Sequence, residues 1–218
     1  MITPLVRRFT CPAALGLLLV AGCSDPADKV PQAPASSPQA TPGAAATPSS
    51  TTASTGAKTY VIRPESKLGF TGSKVTGSHN GGFTNFSGSL KVEGGKIVGT
   101  PEIQIDMNST WADNERLTGH LRSPDFFNVA SFPQSSFAIT AIDAPGADAK
   151  SKVTGNLTLH GVTKSISFPA ALQVADDAVT VKADFAINRK EFGIVYTGKA
   201  DDLIRDLVVI RLDIRATP

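Results

Sequence analysis

This chain of 218 residues is poor in cysteine: Cys11 and Cys23 are the only two copies. Both lie in the first 23 residues, so the rest of the chain has no thiol and cannot form a disulfide. Any folded part must therefore be held together by its hydrophobic core. Histidine is also rare, and His79, His120 and His160 show neither HxH nor HExxH spacing, so no metal site is predicted.

The chain also lacks a long apolar run and an excess of charge of one sign. The apolar run that ends in LGLLLVAG is too short for a transmembrane helix, and no other segment is more apolar. The formal net charge is +2, from 21 basic and 19 acidic residues. Arg7 and Arg8 lie in the first 22 residues, so the remainder is neutral, which gives no reason to expect a nucleic acid as partner.

Residues 1–22 have the features of a secretory signal peptide, because two arginines precede the apolar run. The junction Val20-Ala21-Gly22-Cys23 resembles the lipobox of bacterial lipoproteins. That resemblance implies that Cys23 becomes the N-terminus and carries lipid on its sulfur; the alternative is an ordinary signal peptide with an incidental cysteine. Ser24 does not resemble the aspartate that retains lipoproteins in the inner membrane. We therefore expect a protein of the bacterial cell envelope that faces the periplasm, anchored at the outer membrane if the organism has one.

Residues 23–57 are predicted to be a disordered tether. They consist mainly of proline, alanine, serine and threonine, with hardly any large apolar side chain to bury. Such a segment would span roughly 30 Å as a coil and up to about 100 Å as polyproline helix. Its expected role is to hold the folded part away from the membrane.

From residue 58 onward the sequence alternates with the period of two that is typical of half-buried strands; the clearest alternation runs over residues 179–187. Gly94-Gly95 and His160-Gly161 predict tight turns, and residues 72–82 are interpreted as a flexible glycine-rich loop. About eight antiparallel strands with one apolar face each favour a sandwich or a barrel. A barrel of this size is either filled by its own side chains or holds one small ligand, and periodicity does not choose between these.

One stretch, residues 109–133, does not alternate. Leu117 and Leu121 lie four residues apart and would share one face of a helix, and Thr110 with Asp113 resembles a capping box. The stretch therefore predicts a short helix inserted into an otherwise all-β chain.

This helix is predicted to be broken. Gly119 would end its first part, and Ser123-Pro124-Asp125 would begin the second with a capping hydroxyl, a proline and an acid. The broken helix contains the only tryptophan, two arginines, a histidine and a pair of phenylalanines. A polar and aromatic segment over a sheet or barrel is the predicted place for a site.

The sequence LTLHGVTK at residues 157–164 is similar to the signature of the YceI-like family of polyisoprenoid-binding proteins. The resemblance extends over residues 58–216 and implies an all-β fold: an extended, eight-stranded antiparallel, lipocalin-like barrel with the short broken helix between strands 3 and 4. It further implies that the barrel holds a long isoprenoid chain, such as a quinone or a polyprenyl phosphate, in an apolar tunnel. Family members are typically exported and some pair as dimers, which leaves a homodimer open. The resemblance also includes Arg116, residues 120–123, 125–127 and 132–133, Tyr60-x-Ile62-x-Pro64, Phe192-Gly193 and Asp206-x-Val208-x-Ile210.

The resemblance and the chemistry of the broken helix together predict the binding residues. Arg116 and Arg122 would pair with phosphate or donate to a quinone oxygen, with His120 beside them and Trp111 at the mouth. The alternative is that both arginines are solvated helix charges and that His120 bonds a carbonyl, and His160 is interpreted as structural. The residues expected to contact the lipid tail are Phe70, Phe83, Phe86, Leu90, Ile105, Leu117, Leu121, Phe127, Phe137, Ile139, Leu157, Leu159, Phe168, Phe185 and Ile187.

The function expected from the resemblance is non-catalytic storage or transport of an isoprenoid lipid at the envelope, with no cofactor besides that lipid. A filled barrel that serves as an envelope interaction or stress module is one alternative. The other is an enzyme that acts on such a lipid, with His120 and Asp125 as acid and base. The sequence shows no nucleophile elbow, cofactor fingerprint or paired-carboxylate motif for that enzyme.

Overall fold

A computed structural model describes residues 25–40 and 56–218 of the chain. The predicted signal peptide, Cys23 and the central part of the predicted tether lie outside the described residues. Within these two ranges no helix has the length and apolar character needed to cross a membrane. The described residues form one α-helix, α1 (Glu115–Arg122), and twelve strands: β1 (Lys58–Ile62), β2 (Lys67–Lys74), β3 (Gly77–Phe83), β4 (Phe86–Glu93), β5 (Lys96–Asp106), β6 (Thr110–Ala112), β7 (Gln134–Ile142), β8 (Ser151–Leu159), β9 (Val162–Val174), β10 (Val179–Asn188), β11 (Gly198–Lys199) and β12 (Asp202–Thr217).

All of these strands except β11, which pairs only with β12, build a closed antiparallel barrel whose wall is eight strands around. Three of the eight are interrupted: β1 continues into β2, β3 into β4, and β5 into β6. Strand β12 closes the ring, because it pairs with β10 on one side and with both β1 and β2 on the other. The prediction of an all-β, eight-stranded antiparallel barrel is confirmed.

The glycine-rich stretch at residues 72–82 is a strand pair, so the prediction of a flexible loop is wrong. Strands β2 and β3 are in register from Leu68 opposite Phe83 to Lys74 opposite Gly77. Here a glycine makes room for a ring, since a Cβ on Gly81 would come within 2.4 Å of Phe70 Cζ. Glycine in this strand therefore marks close packing of an aromatic side chain.

Helix α1 begins differently from the prediction. Asn114 is its N-cap, and the Asn114 side chain accepts a hydrogen bond from the Leu117 N–H at 3.1 Å. Asp113 instead accepts hydrogen bonds from the Asn80 N–H and the His79 ring, both at 2.8 Å. These bonds lower the pKa of Asp113, and the bond from the Asn80 N–H has the larger effect. The predicted capping box is wrong because the Asp113 carboxylate bonds to β3, and its predicted partner, Thr110, belongs to β6.

The predicted break and restart of the helix are also wrong. Gly119 lies inside α1, and Ser123 is its C-cap. After Ser123 the chain makes successive turns, in which the Phe126 N–H donates to the Ser123 carbonyl at 3.1 Å and the Phe127 N–H to the Leu121 carbonyl at 2.9 Å. These turns bring both phenylalanine rings into the barrel, where apolar contacts outweigh the local preference for a second helix.

The turn predicted at His160-Gly161 is confirmed. Both residues have positive φ, 52° and 75°, between the paired residues Leu159 and Val162. Two successive positive φ angles are typical of a type I′ hairpin turn. The His160 ring packs on Phe132 with centroids 4.8 Å apart, and its Nδ1 lies 3.2 Å from the Phe192 carbonyl, in keeping with a structural role.

Residues 25–40 pack against the barrel wall, so the prediction of a disordered tether is wrong for this part of the chain. Asp25 caps a 3-10 helix at Pro26–Lys29, and Ala27 packs on Ala186 and Val209. Further along, residues 32 and 36 form isolated bridges to β10 and β9. Composition did not predict this attachment, because the segment has little apolar surface. Backbone hydrogen bonds to strand edges and contacts of small side chains hold it on the barrel.

Candidate functional site

The barrel encloses an apolar cavity of about 180 Å³. Inward-facing side chains from strands around the barrel form its walls, and Leu121, Phe126 and Phe127 cover one end from α1 and the turns after it. Ser135 and Arg189 are the two polar residues among those that line it. The cavity can therefore remove a hydrocarbon from water and offers few polar groups to orient it.

Most of the predicted tail-contact residues line this cavity. Leu90 and Ile139 line a second, smaller cavity instead, and Leu117 packs at the margin of the interior cluster. The predicted residues that line the main cavity are Phe70, Phe83, Phe86, Ile105, Leu121, Phe127, Phe137, Leu157, Leu159, Phe168, Phe185 and Ile187.

Sequence reasoning missed a comparable number of lining residues. Those on strands alternate, so the same periodicity that located the strands could have placed them on the inner wall. Ile194 and Arg189 follow β10 in an irregular segment, where the sequence carries no such signal. The missed residues on or near strands are Leu68, Gly72, Ile103, Met107, Ser135, Ile166, Ile204, Val208, Ile210, Leu212 and Ile214, with Phe126 from the turns after α1.

The second cavity, of about 60 Å³, shares part of its lining with the main cavity. Phe137 and Phe168 line both cavities and lie with ring centroids 5.7 Å apart. Phe185 stacks on Phe168 at 4.0 Å but lines only the main cavity of the two. The ring pair Phe137–Phe168 is thus part of the partition between them, together with the other residues that line both cavities, Ile103, Leu212 and Ile214.

The four residues predicted to hold a headgroup line neither of these two cavities. Trp111 is 44% exposed on β6, and Arg116 is exposed on α1. Arg122 donates from Nη2 to the Thr110 carbonyl at 2.7 Å. These three side chains lie on the outside of the helical end.

His120 lies one layer behind the cavity wall. Its Nε2 is 2.8 Å from Asp125 Oδ2, so the structure brings together the pair considered as acid and base. Its ring packs edge-on against Phe126 and Tyr196, with centroids 4.9 and 5.1 Å apart. Of these residues only Phe126 lines the main cavity, and no motif in the sequence singles out Tyr196.

Arg189 is the charged residue that the sequence analysis missed. It is 4% exposed and donates to three carbonyls, those of Arg205 at 3.0 Å, Ile194 at 2.6 Å and Ile204 at 3.4 Å. Burial lowers the pKa of Arg189 and the nearby carboxylate of Asp206 raises it. An arginine remains protonated under such a shift, so the cavity wall contains a cation.

Within residues 25–40 and 56–218 no cluster of three His, Cys, Asp or Glu side chains could hold a metal ion.

Two UPF0312 proteins are similar to this chain in amino-acid sequence. A UPF0312 protein of Enterobacter sp. strain 638 is 40% identical over 93 residues, which are 42% of this chain and 47% of the relative, so the chain spans about half of that protein. A UPF0312 protein of Pseudomonas putida strain W619 is 30% identical over 152 residues, which are 63% of this chain and 77% of the relative.

Solved structures share the fold. BcnA of Burkholderia cenocepacia superposes with a TM-score of 0.62 at 24% identity, over 70% of this chain and 97% of BcnA. A polyisoprenoid binding domain from Saccharophagus degradans gives 0.58 at 19% identity, over 73% of this chain and 97% of that domain. A family model described as a YceI-like domain matches residues 60–216. Because that match runs from the first strand of the barrel to the last, this chain belongs to the family of YceI-like domains.

Proposed function

We propose that the barrel binds the tail of an isoprenoid lipid, of the quinone or polyprenyl-phosphate type, without catalysing a reaction on it. The observation that carries this proposal is the apolar lining of the cavity. Ser135 and Arg189 are the two lining residues with polar side chains. The structural similarity to a polyisoprenoid binding domain from Saccharophagus degradans supports the same ligand class. Each methylene group that moves from water into such a cavity contributes about 0.8 kcal/mol.

The cavity must expand to take a long tail. An apolar cavity of about 150 Å³ accommodates benzene, so 180 Å³ has room for little more than one branched isoprene unit. Phe185, and the partition to which Phe168 belongs, are the groups that a longer tail would displace. The ligand is therefore expected to rearrange side chains along the interior as it enters.

Arg189 supports a polar head at the cavity wall. A guanidinium has five N–H donors, and its carbonyl bonds hold it in place beside the cavity. A quinone carbonyl or a phosphate oxygen is the acceptor that suits this cation. The predicted residues Arg116, His120 and Arg122 would contact only a head that projects beyond the helical end.

Binding is favoured over catalysis by where the candidate acid and base lie. His120 and Asp125 bond to each other on the outer side of Phe126, away from the lining of the cavity. A general acid or base must come within hydrogen-bond reach of the reacting atom. The interior wall instead presents hydrocarbon to any bound chain.

Extraction of the bound lipid tests the proposal. Protein purified from its native membrane and extracted with organic solvent is expected to yield an isoprenoid lipid in near-stoichiometric amount by mass spectrometry. The matched control is Leu159→Arg, which places an unpaired charge on the inner wall and is expected to abolish retention. Recovery of no lipid from wild-type protein would instead favour a filled barrel that serves as an interaction module.

The proposed site of action is the cell envelope, with Cys23 as the lipid anchor. Replacing Cys23 with serine removes the sulfur that would carry the lipid, so the variant is expected to move from the membrane fraction to the soluble fraction. Cell fractionation with immunoblotting measures this shift. Cys11→Ser, which changes the other cysteine of the chain, is the matched control and should remain with the membrane. A Cys23→Ser protein that stays membrane-bound would show that the anchor is elsewhere.

A further inference from the structure

Strands β9 and β10 pair along only part of their length. Residues 171–174 of β9 are in register with residues 179–182 of β10. Both strands extend beyond this ladder, β9 over residues 162–170 and β10 over residues 183–188. We call the gap between these two unpaired edges the seam.

Residues 31–36, which we call the strap, fill the seam. The Ala186 N–H of β10 donates to the Pro31 carbonyl at 2.9 Å, and the Ala33 N–H donates to the Ala186 carbonyl at 2.8 Å. Ala33 is 3% exposed and belongs to the interior hydrophobic cluster. The strap therefore completes the barrel wall at a place where the backbones of β9 and β10 do not pair with each other.

The strap is bonded to the opposite edge as well. Ser36 and Ser165 of β9 exchange two backbone hydrogen bonds, at 2.9 and 3.0 Å. Just beyond the strap, the Gln39 N–H donates to the Asn156 side chain at 2.9 Å, and that side chain donates to the Gln39 carbonyl at 2.7 Å. Both edges of the seam thus find their partners in one short segment.

Little apolar burial holds the strap in place. Its contribution to the interior cluster is two small side chains, Ala33 and Ala35. Its main attachment is a few backbone hydrogen bonds, each of which contributes about 1 kcal/mol net. The strap can therefore leave without disrupting any strand-to-strand ladder of the barrel.

Both sides of the seam border the main cavity. Phe185 and Ile187 of β10 line it on one side, and Ile166 and Phe168 of β9 line it on the other. We propose that the seam is a lateral port through which the isoprenoid tail enters and leaves the barrel, and that the strap is its gate; this rests on the proposed function. A lateral port lets a linear chain enter sideways once the strap leaves and the Phe168–Phe185 ring pair, which stacks across the seam at 4.0 Å, moves aside.

The sequence also connects the strap to the predicted anchor. Cys23 lies two residues before Asp25, so the chain between them reaches no farther than about 7 Å. Asp25 is at the barrel wall, where its carboxylate lies 3.7 Å from Arg205 Nε. A lipid on Cys23 would thus bring the bilayer beside the port, and the anchor would hold the barrel close to the membrane.

A disulfide across the seam tests the gate. Ser36 and Ser165 form a hydrogen-bonded antiparallel pair, whose Cα atoms lie about 5.5 Å apart and suit a disulfide. We expect the full chain with Ser36→Cys and Ser165→Cys, in a Cys23→Ser background, to take up lipid at least tenfold more slowly when oxidised than when reduced. The probe is a quinone with an eight-isoprene tail, presented in phosphatidylcholine vesicles and quantified in reisolated protein over time.

Two further variants complete the test. Thr158→Cys with Thr163→Cys joins two strands that are already paired, and its oxidation should not change the uptake rate. Ser36→Pro removes the N–H that bonds to β9, so this variant should load faster than wild type. An oxidised Ser36–Ser165 pair that loads at the reduced rate would overturn the port alone. Wild-type protein that takes up no quinone and also yields no isoprenoid lipid on extraction would overturn both the proposed function and the port.

Discussion

Replacing Phe168 with alanine is expected to join the two interior cavities and to shift ligand preference toward longer isoprenoid tails. Phe168 lines both cavities and is 3% exposed, so its ring is a large part of the partition. Each additional buried carbon contributes about 0.8 kcal/mol, so two more would improve the affinity for a longer tail about tenfold. The measurement is the ratio of dissociation constants for quinones that differ only in tail length.

The control for this substitution is Phe185→Ala. Phe185 stacks on Phe168 at 4.0 Å and lines only the main cavity of the two, so its removal widens that cavity without opening the partition. Either truncation should lower the free energy of unfolding by about 3–5 kcal/mol, as is usual for a buried phenylalanine. If both variants showed the same ratio as wild type, Phe168 would not limit tail length.

Replacing Arg189 with leucine is expected to lower the free energy of unfolding more than replacing Ser135, the other polar residue that lines the main cavity. The substitution leaves the carbonyls of Ile194, Ile204 and Arg205 without the guanidinium to which they bond. An unsatisfied buried group costs about 1–3 kcal/mol, so the free energy of unfolding should fall by roughly 3 kcal/mol or more. Urea unfolding measures this change.

Lys190→Leu is the matched control for Arg189→Leu. Lys190 is the adjacent residue, and its side chain is 43% exposed. Its ammonium group lies 2.9 Å from the carboxylate of Asp206, which also forms an ion pair with Arg189 at 3.6 Å. An exposed ion pair contributes at most about 1 kcal/mol, so this variant should resemble wild type. Equal losses in the two variants would mean that the shared Asp206 ion pair, and not the carbonyl bonds, accounts for the effect.

The inner wall was largely predictable from single residues and their spacing. Phe185 and Ile187 belong to the alternating run over residues 179–187 on β10, and an antiparallel strand with one apolar face turns that face to the core. Leu159 could be placed in the same way, together with the turn that follows it at His160-Gly161. These predictions hold because strand periodicity is a local property of the chain.

The helical end was predictable only in outline. Leu121 faces the interior as the spacing of four predicted, but Asp113 bonds to β3 and Asn114 caps the helix. Whether Asp113 or Asn114 caps the helix is decided by β3, a strand that lies more than thirty residues earlier in the chain and bonds to Asp113. No local signal distinguishes a carboxylate that caps a helix from one that bonds to a distant strand.

By itself, the sequence determined an all-β barrel with an apolar inner surface, because alternation and the LTLHGVTK region are encoded within short stretches. Only the tertiary structure decided that Arg189 faces the cavity, since the three carbonyls that hold it come from two separate segments. It also decided that residues 31–36 complete the wall. Their composition offers almost nothing to bury, and what binds them is the unpaired backbone of two strand edges that become neighbours only when the barrel closes.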